Sequence, residues 1–187
     1  NDDDNNNINN SNNNENNSNN NINNSNSNIN NSNNWPGANS VRTISVWYYA
    51  TEISGPVNIY TFGDGNPNIN SSAGTRYSLW FDQSTSRMVG QGNDYSWYAS
   101  YLPQNHLNEW INITFTHNEE GITKLYTNGV YHSASQPLNL NTDGAMPLVV
   151  GANSELGIPE FFEGLIDNLR IYNRVLSVSE IESIFEQ

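Results

Sequence analysis

Cysteine is absent from the 187 residues, and only six lysines and arginines stand against 19 aspartates and glutamates, for a formal net charge of −13. Without cysteine there can be no disulfide and no thiolate zinc site, although a domain of this size can still be secreted because it folds without staples. The scarcity of cations excludes nucleic acid as a partner: the six lie scattered between Arg42 and Arg174 and form no patch to attract a phosphate backbone or an anionic membrane. Long apolar runs are missing too, so no membrane insertion is expected and no signal-peptide core is visible. The chain begins at Asn1 rather than Met, as expected of a processed or truncated product.

Other absences are local. Residues 1–34 contain only Asn, Ser, Asp, one Glu and three Ile, while every Trp, Tyr, Phe, Gly, Pro, Arg and Lys lies from Trp35 onward. Only residues 35–187 can therefore bury a core, and a stretch of roughly 150 residues buries about two-thirds of its unfolded surface. The chain divides into an Asn-rich segment, 1–34, and a folded domain, 35–187.

What the domain contains is strand chemistry. "RTISVWYYA" alternates Ile44, Val46 and Tyr48 against Thr43, Ser45 and Trp47, and "EWINITFTH" alternates Ile111, Ile113 and Phe115 against Trp110, Asn112 and Thr114. "TKLYTNGVYHS" predicts a hairpin turning at Asn128-Gly129, the pair suited to the positive φ of a type I′ turn. "YSLWFD", "MPLVVGA" and "GLIDNLRIYN" supply further strands. At the end, Ser177 stands three residues before Glu180, a capping-box spacing, and Ile181, Ile184 and Phe185 follow at helical spacing. These patterns predict an all-β antiparallel sandwich closed by one short helix.

"TISVWYYA", "NEWINITFTHNEEGITKLYTNGVYHS", "PLVVGAN" and "FFEGLIDNLRIYNRVLSVSEIESIF" resemble, in order, recurring segments of the laminin-G-like, concanavalin A-like lectin/glucanase superfamily. The last is the most specific: a strand reading G-x-I-D-x-x-R-I-Y-N-R-x-L-S that runs into a helix. The resemblance covers about Thr43 to Phe185 and implies a two-sheet jelly roll with six or seven strands per sheet. It also implies core positions for Trp47 and Trp110 and a calcium contact at Asp167. One carboxylate is not a calcium site, because the ion takes six to eight oxygens, and further partners such as Asp64 would be needed. Relatives open with an additional strand where only "WPGANSV" precedes Arg42, so that strand is missing, shortened or contributed by something else.

Chemistry-bearing motifs are few. A glycoside hydrolase needs a pair of carboxylates flanking one bond. No E-x-D-x-E pattern occurs, and Glu119, Glu120, Glu160 and Glu163 read as solvated loop charges. His106, His117 and His132 are far apart in the chain, with no spacing that suggests a relay, and read as surface or strand-end histidines. No catalytic residue is predicted. The segment "QGNDYSWYASYLPQNH" is the candidate carbohydrate site: Tyr95, Trp97, Tyr98 and Tyr101 are interleaved with amides and an acid, and sugar faces stack on rings while amides take hydroxyls. Alternation places Tyr95 and Trp97 on one face and Tyr98 on the other; core filling is the competing role for these rings.

The Asn-rich segment keeps a seven-residue beat: Ile8, Glu15, Ile22 and Ile29 recur in phase with Ser11, Ser18, Ser25 and Ser32. As a helix it lacks a continuous apolar seam, and Asn competes with its own backbone for hydrogen bonds. Asn-rich strands can instead stack through amide ladders. Each beat carries one N-linked glycan acceptor, headed by Asn9, Asn16, Asn23 and Asn30, and two more are headed by Asn70 and Asn112.

These readings favour a non-enzymatic extracellular or cell-surface protein: a glycosylated filament or stalk subunit that self-associates through its N-terminal segment and meets glycans or a cell surface. The alternative is a carbohydrate-binding module on an Asn-rich linker, with a glycoside hydrolase third. The native protein is expected to weigh more than the bare 21.0 kDa, and an intact mass at the bare value would remove the glycan coat.

Overall fold

The structure, a computed structural model, describes residues 36–63, 76–81, 86–90, 96–142, 148–153 and 160–187. The glycan acceptors Asn9, Asn16, Asn23, Asn30 and Asn70 lie outside these residues, as do Tyr95 and Asp64. The elements are β1 (Arg42–Ala50), β2 (Val57–Gly63), β3 (Arg76–Phe81), β4 (Ser86–Gly90), β5 (Ser96–Ala99), β6 (Trp110–His117), β7 (Thr123–Thr127), β8 (Val130–Ala134), β9 (Val149–Val150), β10 (Gly164–Tyr172) and α1 (Val178–Phe185), with a 3-10 turn at Pro103–His106. They form two antiparallel sheets, ordered β10-β1-β6-β7-β8 and β5-β4-β3-β2-β9. Each sheet holds five strands among the described residues, fewer than the six or seven the resemblance implies.

The alternation read in β1 and β6 is the alternation observed. Register pairs Ile44 with Phe115, Val46 with Ile113 and Tyr48 with Ile111, and this apolar face meets Tyr77, Leu79 and Phe81 of β3 and Val57, Ile59 and Tyr60 of β2. Ring contacts cross between the sheets, Tyr48 edge-on to Phe81 at 5.1 Å and Trp97 edge-on to Phe115 at 6.3 Å. Such pairs stabilise beyond the area they bury. The predicted hairpin turns at Asn128 and Gly129, with φ of 49° and 78°.

The second face of β1 is not solvated. Thr43, Ser45, Asn112 and Thr114 are all fully buried. Ser45 Oγ accepts from Asn112 Nδ2 at 3.1 Å and lies 2.8 Å from Thr114 Oγ1. Helix α1 lies over this side of the sheet, and Ile181 and Ile184 cluster with Tyr126, Tyr172 and Leu176. Its start is tied down twice: Ser177 and Glu180 form the predicted capping box, and Thr43 Oγ1 donates to Arg174 O at 2.8 Å while accepting from Leu176 N at 3.0 Å. Asn112 is therefore corrected as a glycan acceptor, since its amide nitrogen is sealed inside the sheet–helix contact and bonded to Ser45.

The implied core roles of Trp47 and Trp110 are corrected as well. Both lie on the helix-bearing face, where Trp47 is half-buried against Phe185 and Trp110 is 42% exposed.

Arg42 enters β1 as a fully buried cation. Its guanidinium donates to Ala38 O at 2.7 Å, Ser40 O at 3.0 Å and Thr142 Oγ1 at 3.2 Å, and sits 5.0 Å from the centroid of the Tyr77 ring. His117 is buried beside it, held by Thr123 Oγ1 and Asn39 Oδ1 at 2.9 Å each, rather than lying at the surface. Burial, and then the Arg42 charge, push its imidazole down to about 4.

Two predictions follow from this packing. Unfolded histidine titrates near 6.5. Between about 6.5 and 4 the unfolded chain binds a proton that folded His117 refuses, so stability should fall as pH drops through that window and be untouched by this group above it. Between pH 7 and 4.5 the wild type should lose roughly 2–3 kcal/mol more than His117→Gln in urea unfolding; parallel profiles would disprove a neutral His117. At Gly164, with φ of 154°, an added Cβ would sit 2.0 Å from Tyr49 O. Gly164→Ala should cost more than about 2 kcal/mol, whereas Gly55→Ala, with nothing within 4 Å, should stay within about 0.5 kcal/mol.

Candidate functional site

The outer face of the β5-β4-β3-β2-β9 sheet carries a polar cluster built from four separate chain segments. Strand register lines up Asn58 of β2, Trp80 of β3, position 87 of β4 and Tyr98 of β5 in one row across the sheet. Asn58 is buried, Trp80 half-buried, and Tyr98 57% exposed. The row thus descends from a wet aromatic ring to a sealed amide.

Glu160 closes over the buried end. Its Oε2 accepts from Asn58 Nδ2 at 2.6 Å, Asn153 Nδ2 at 2.9 Å and Trp80 Nε1 at 3.2 Å, while its backbone carbonyl accepts from Asn58 N at 3.0 Å. The two amides are themselves held in place: Thr61 Oγ1 donates to Asn58 Oδ1 at 3.1 Å, and Arg76 Nη1 to Asn153 Oδ1 at 3.1 Å. Three donors converge on one carboxylate oxygen, so the carboxylate is held by one atom and its Oε1 has no partner among the described residues. Glu160 adopts a φ of +35°, a conformation that costs a non-glycine residue about 1–3 kcal/mol and persists only where its surroundings impose it. The arrangement offers a preoriented carboxylate acceptor, fixed amides and an indole beside an exposed phenol ring.

Glu160 is thus not the solvated loop charge its sequence context suggests. Glu163 is exposed, and its carbonyl accepts from Thr51 N at 3.2 Å. Of the aromatic residues proposed from sequence, Tyr98 reaches this face. Trp97 packs into the core, as the alternation allows, and Tyr101 is buried with its hydroxyl 2.5 Å from Tyr48 Oη. Burial pushes the Tyr101 phenol up to about 12. Trp97 and Tyr101 are therefore corrected from sugar platform to core.

The fold brings two histidines together that the sequence holds apart. His106 stacks on Tyr101 at 5.2 Å, and His132 meets the same ring edge-on at 5.7 Å while bonding Thr127 Oγ1. His106 Nδ1 pairs with Glu109 Oε1 at 2.6 Å.

Asp167 is exposed on β10, and its Oδ1 accepts from Asn168 N at 2.7 Å. Among the described residues no three His, Asp or Glu side chains gather to hold a metal ion.

Sequence reasoning missed Asn58, Trp80, Asn153 and Glu160 because no local pattern joins them. Asn58 and Glu160 are 102 residues apart and meet only in the folded chain, where β2 pairs with β3 and β9.

Over residues 16–182 the chain matches the concanavalin A-like lectin/glucanases superfamily, a match that begins inside the Asn-rich segment. No curated protein matches it. Among solved structures, the CBM40 of Ruminococcus gnavus IT-sialidase bound to α2,3 sialyllactose superposes with a TM-score of 0.62 at 14% identity, covering 78% of this chain and 83% of that one. Domain 4 of AbnA, a GH43 extracellular arabinanase from Geobacillus stearothermophilus in complex with arabinotriose, gives a TM-score of 0.58 at 21% identity over 81% and 68%. A heptameric SAP-like pentraxin from Limulus polyphemus gives 0.59 at 12% identity over 81% and 72%. At these identities the likeness establishes a shared fold. No described helix is long and apolar enough to cross a membrane.

Proposed function

Since the chain belongs to the concanavalin A-like lectin/glucanases superfamily, a fold on which function resides in individual sites, we propose that it is a non-catalytic carbohydrate-binding domain that holds its glycan on the outer face of the β5-β4-β3-β2-β9 sheet. The observation that carries this reading is the Glu160 carboxylate, pinned through one oxygen by Asn58, Asn153 and Trp80 beside the exposed Tyr98 ring. Charge-assisted bonds from sugar hydroxyls to a fixed carboxylate are strong, and the exposed ring supplies a stacking surface for the pyranose face. Preorganisation lowers the cost of binding, because the strained Glu160 backbone is set before the ligand arrives. The sialyllactose and arabinotriose named with two of the similar structures agree with this class of ligand. An extracellular or cell-surface location suits such a role.

A second reading rests on the Asn-rich segment. Its in-phase Ile and Asn-Asn-Ser repeat suits a glycosylated stalk that assembles with neighbouring copies, and β10 ends its sheet among the described residues, leaving an edge on which an added strand could pair. Deleting residues 1–34 should abolish any fibres visible by electron microscopy; fibres that persist would sink strand donation.

For the glycan site, a glycan array followed by calorimetry on the best ligand is the test. Glu160→Gln and Trp80→Ala should each weaken binding at least about tenfold, equivalent to about 1.4 kcal/mol, with Tyr98→Ala weaker by less. Unchanged affinity in variants that keep the wild-type melting transition would overturn the assignment. Trp97→Ala, a core substitution, should instead lower stability.

A further inference from the structure

The opposite side of the sandwich carries rings that the Glu160 site does not use. Register places Leu165 of β10, Tyr49 of β1 and Trp110 of β6 in one row on the outer face. The adjoining row holds Trp47, with Phe185 of α1 stacked on it at 5.8 Å and an interplanar angle of 22°. Tyr49 and Trp110 lie 5.8 Å apart, tilted by 56°. Leu165 is 57% exposed, Trp110 42% and Phe185 38%, with Tyr49 and Trp47 half-buried. Helix α1 lies over the polar half of this face and stops at Phe185, and in the row of Leu165, Tyr49 and Trp110 the first and last side chains stay exposed. A contiguous patch of this kind marks a contact surface.

What borders the patch selects the partner. Glu109 precedes Trp110, Asp167 pairs across from Trp47, and Glu186 follows Phe185; all three are exposed. A twofold contact between copies would press this acidic rim against itself, on chains that each carry a net charge of −13. Anionic polymers meet the same repulsion. Neutral polyhydroxylated chains do not: their ring faces stack on exposed aromatics, and carboxylates at the rim accept their hydroxyls. The row crosses three strands, a span of about 10 Å at the usual strand spacing, so it is long enough for consecutive units of a polymer rather than a single sugar.

We propose that this aromatic row is a second and separate glycan-contact face, specific for neutral polysaccharide chains, with Trp110 and Tyr49 as stacking residues. Together with the Glu160 site it would let one domain engage two chains from opposite sides, and multivalent display of such domains would raise avidity without new contacts. The proposal rests on observations separate from those behind the Glu160 site, so either face can fail alone.

The test is retention of the full chain on amorphous cellulose, colloidal chitin, linear arabinan and mannan, with carboxymethylcellulose as the anionic control. Wild type is expected to bind at least one neutral polymer and to bind the anionic control more weakly. Trp110→Ala and Tyr49→Ala should lower that retention at least fivefold, while Trp110→Phe, which keeps a ring, should largely retain it and Glu160→Gln should leave the Trp110-dependent part in place. Trp110→Phe and the melting transition separate loss of contact from loss of fold. Absence of retention on every neutral polymer, or retention indifferent to Trp110→Ala, would overturn the proposal while leaving the Glu160 site untouched. A concentration-dependent dimer in sedimentation velocity that Trp110→Ala dissociates would also overturn it, reassigning the face to a second copy of the chain.

Discussion

The first half of β1, Arg42–Val46, is buried on both faces, and the two faces are buried by different means. Toward the second sheet the strand presents Ile44, Val46, Tyr48 and Ala50 to an apolar core. On the other side Thr43 and Ser45 form a hydrogen-bonded layer with Asn112 and Thr114, and α1 lies across it. Polar groups withdrawn from water must find partners, and here they find them within the layer and in the segment leading to the helix. The helix is therefore part of the sheet's hydrogen-bond accounting as well as its cover.

The same strand carries the chain's buried cation. No acid among the described residues pairs with Arg42; backbone carbonyls accept its hydrogen bonds and the Tyr77 face stabilises its charge instead. Those contacts bind the entry segment 37–40, the Thr142 region and the opposite sheet to one point. With one end of β1 fixed by Arg42 and one face closed by α1, the two outer faces of the sandwich are left for different tasks. One holds a strained, hydrogen-bonded carboxylate; the other holds exposed rings.

Legibility in the sequence tracked distance along the chain. β1, β6, the Asn128-Gly129 hairpin, β10 and the Ser177 capping box were all readable because each rests on residues within ten of one another. The aromatic segment around Tyr98 was readable as a candidate, but alternation alone could not say which face is wet, and Trp97 and Tyr101 went to the core. Trp47 and Trp110 failed in the opposite direction. The family resemblance implied core positions for both, although alternation set them on the more polar face, and in the folded chain Trp110 is left substantially in water.

The sequence by itself determined the class of the fold, because strand period, turn residues and helix caps act over a few residues and need no partner. Tertiary structure alone decided the sites. Glu160, Asn58, Asn153 and Trp80 become one cluster only when β2, β3 and β9 pair, and the acceptor at Asn112 becomes a buried sheet residue only when α1 docks. Hydrogen bonding and burial are properties of neighbours in space, and in an antiparallel sandwich those neighbours are set by strand order, which no local pattern records.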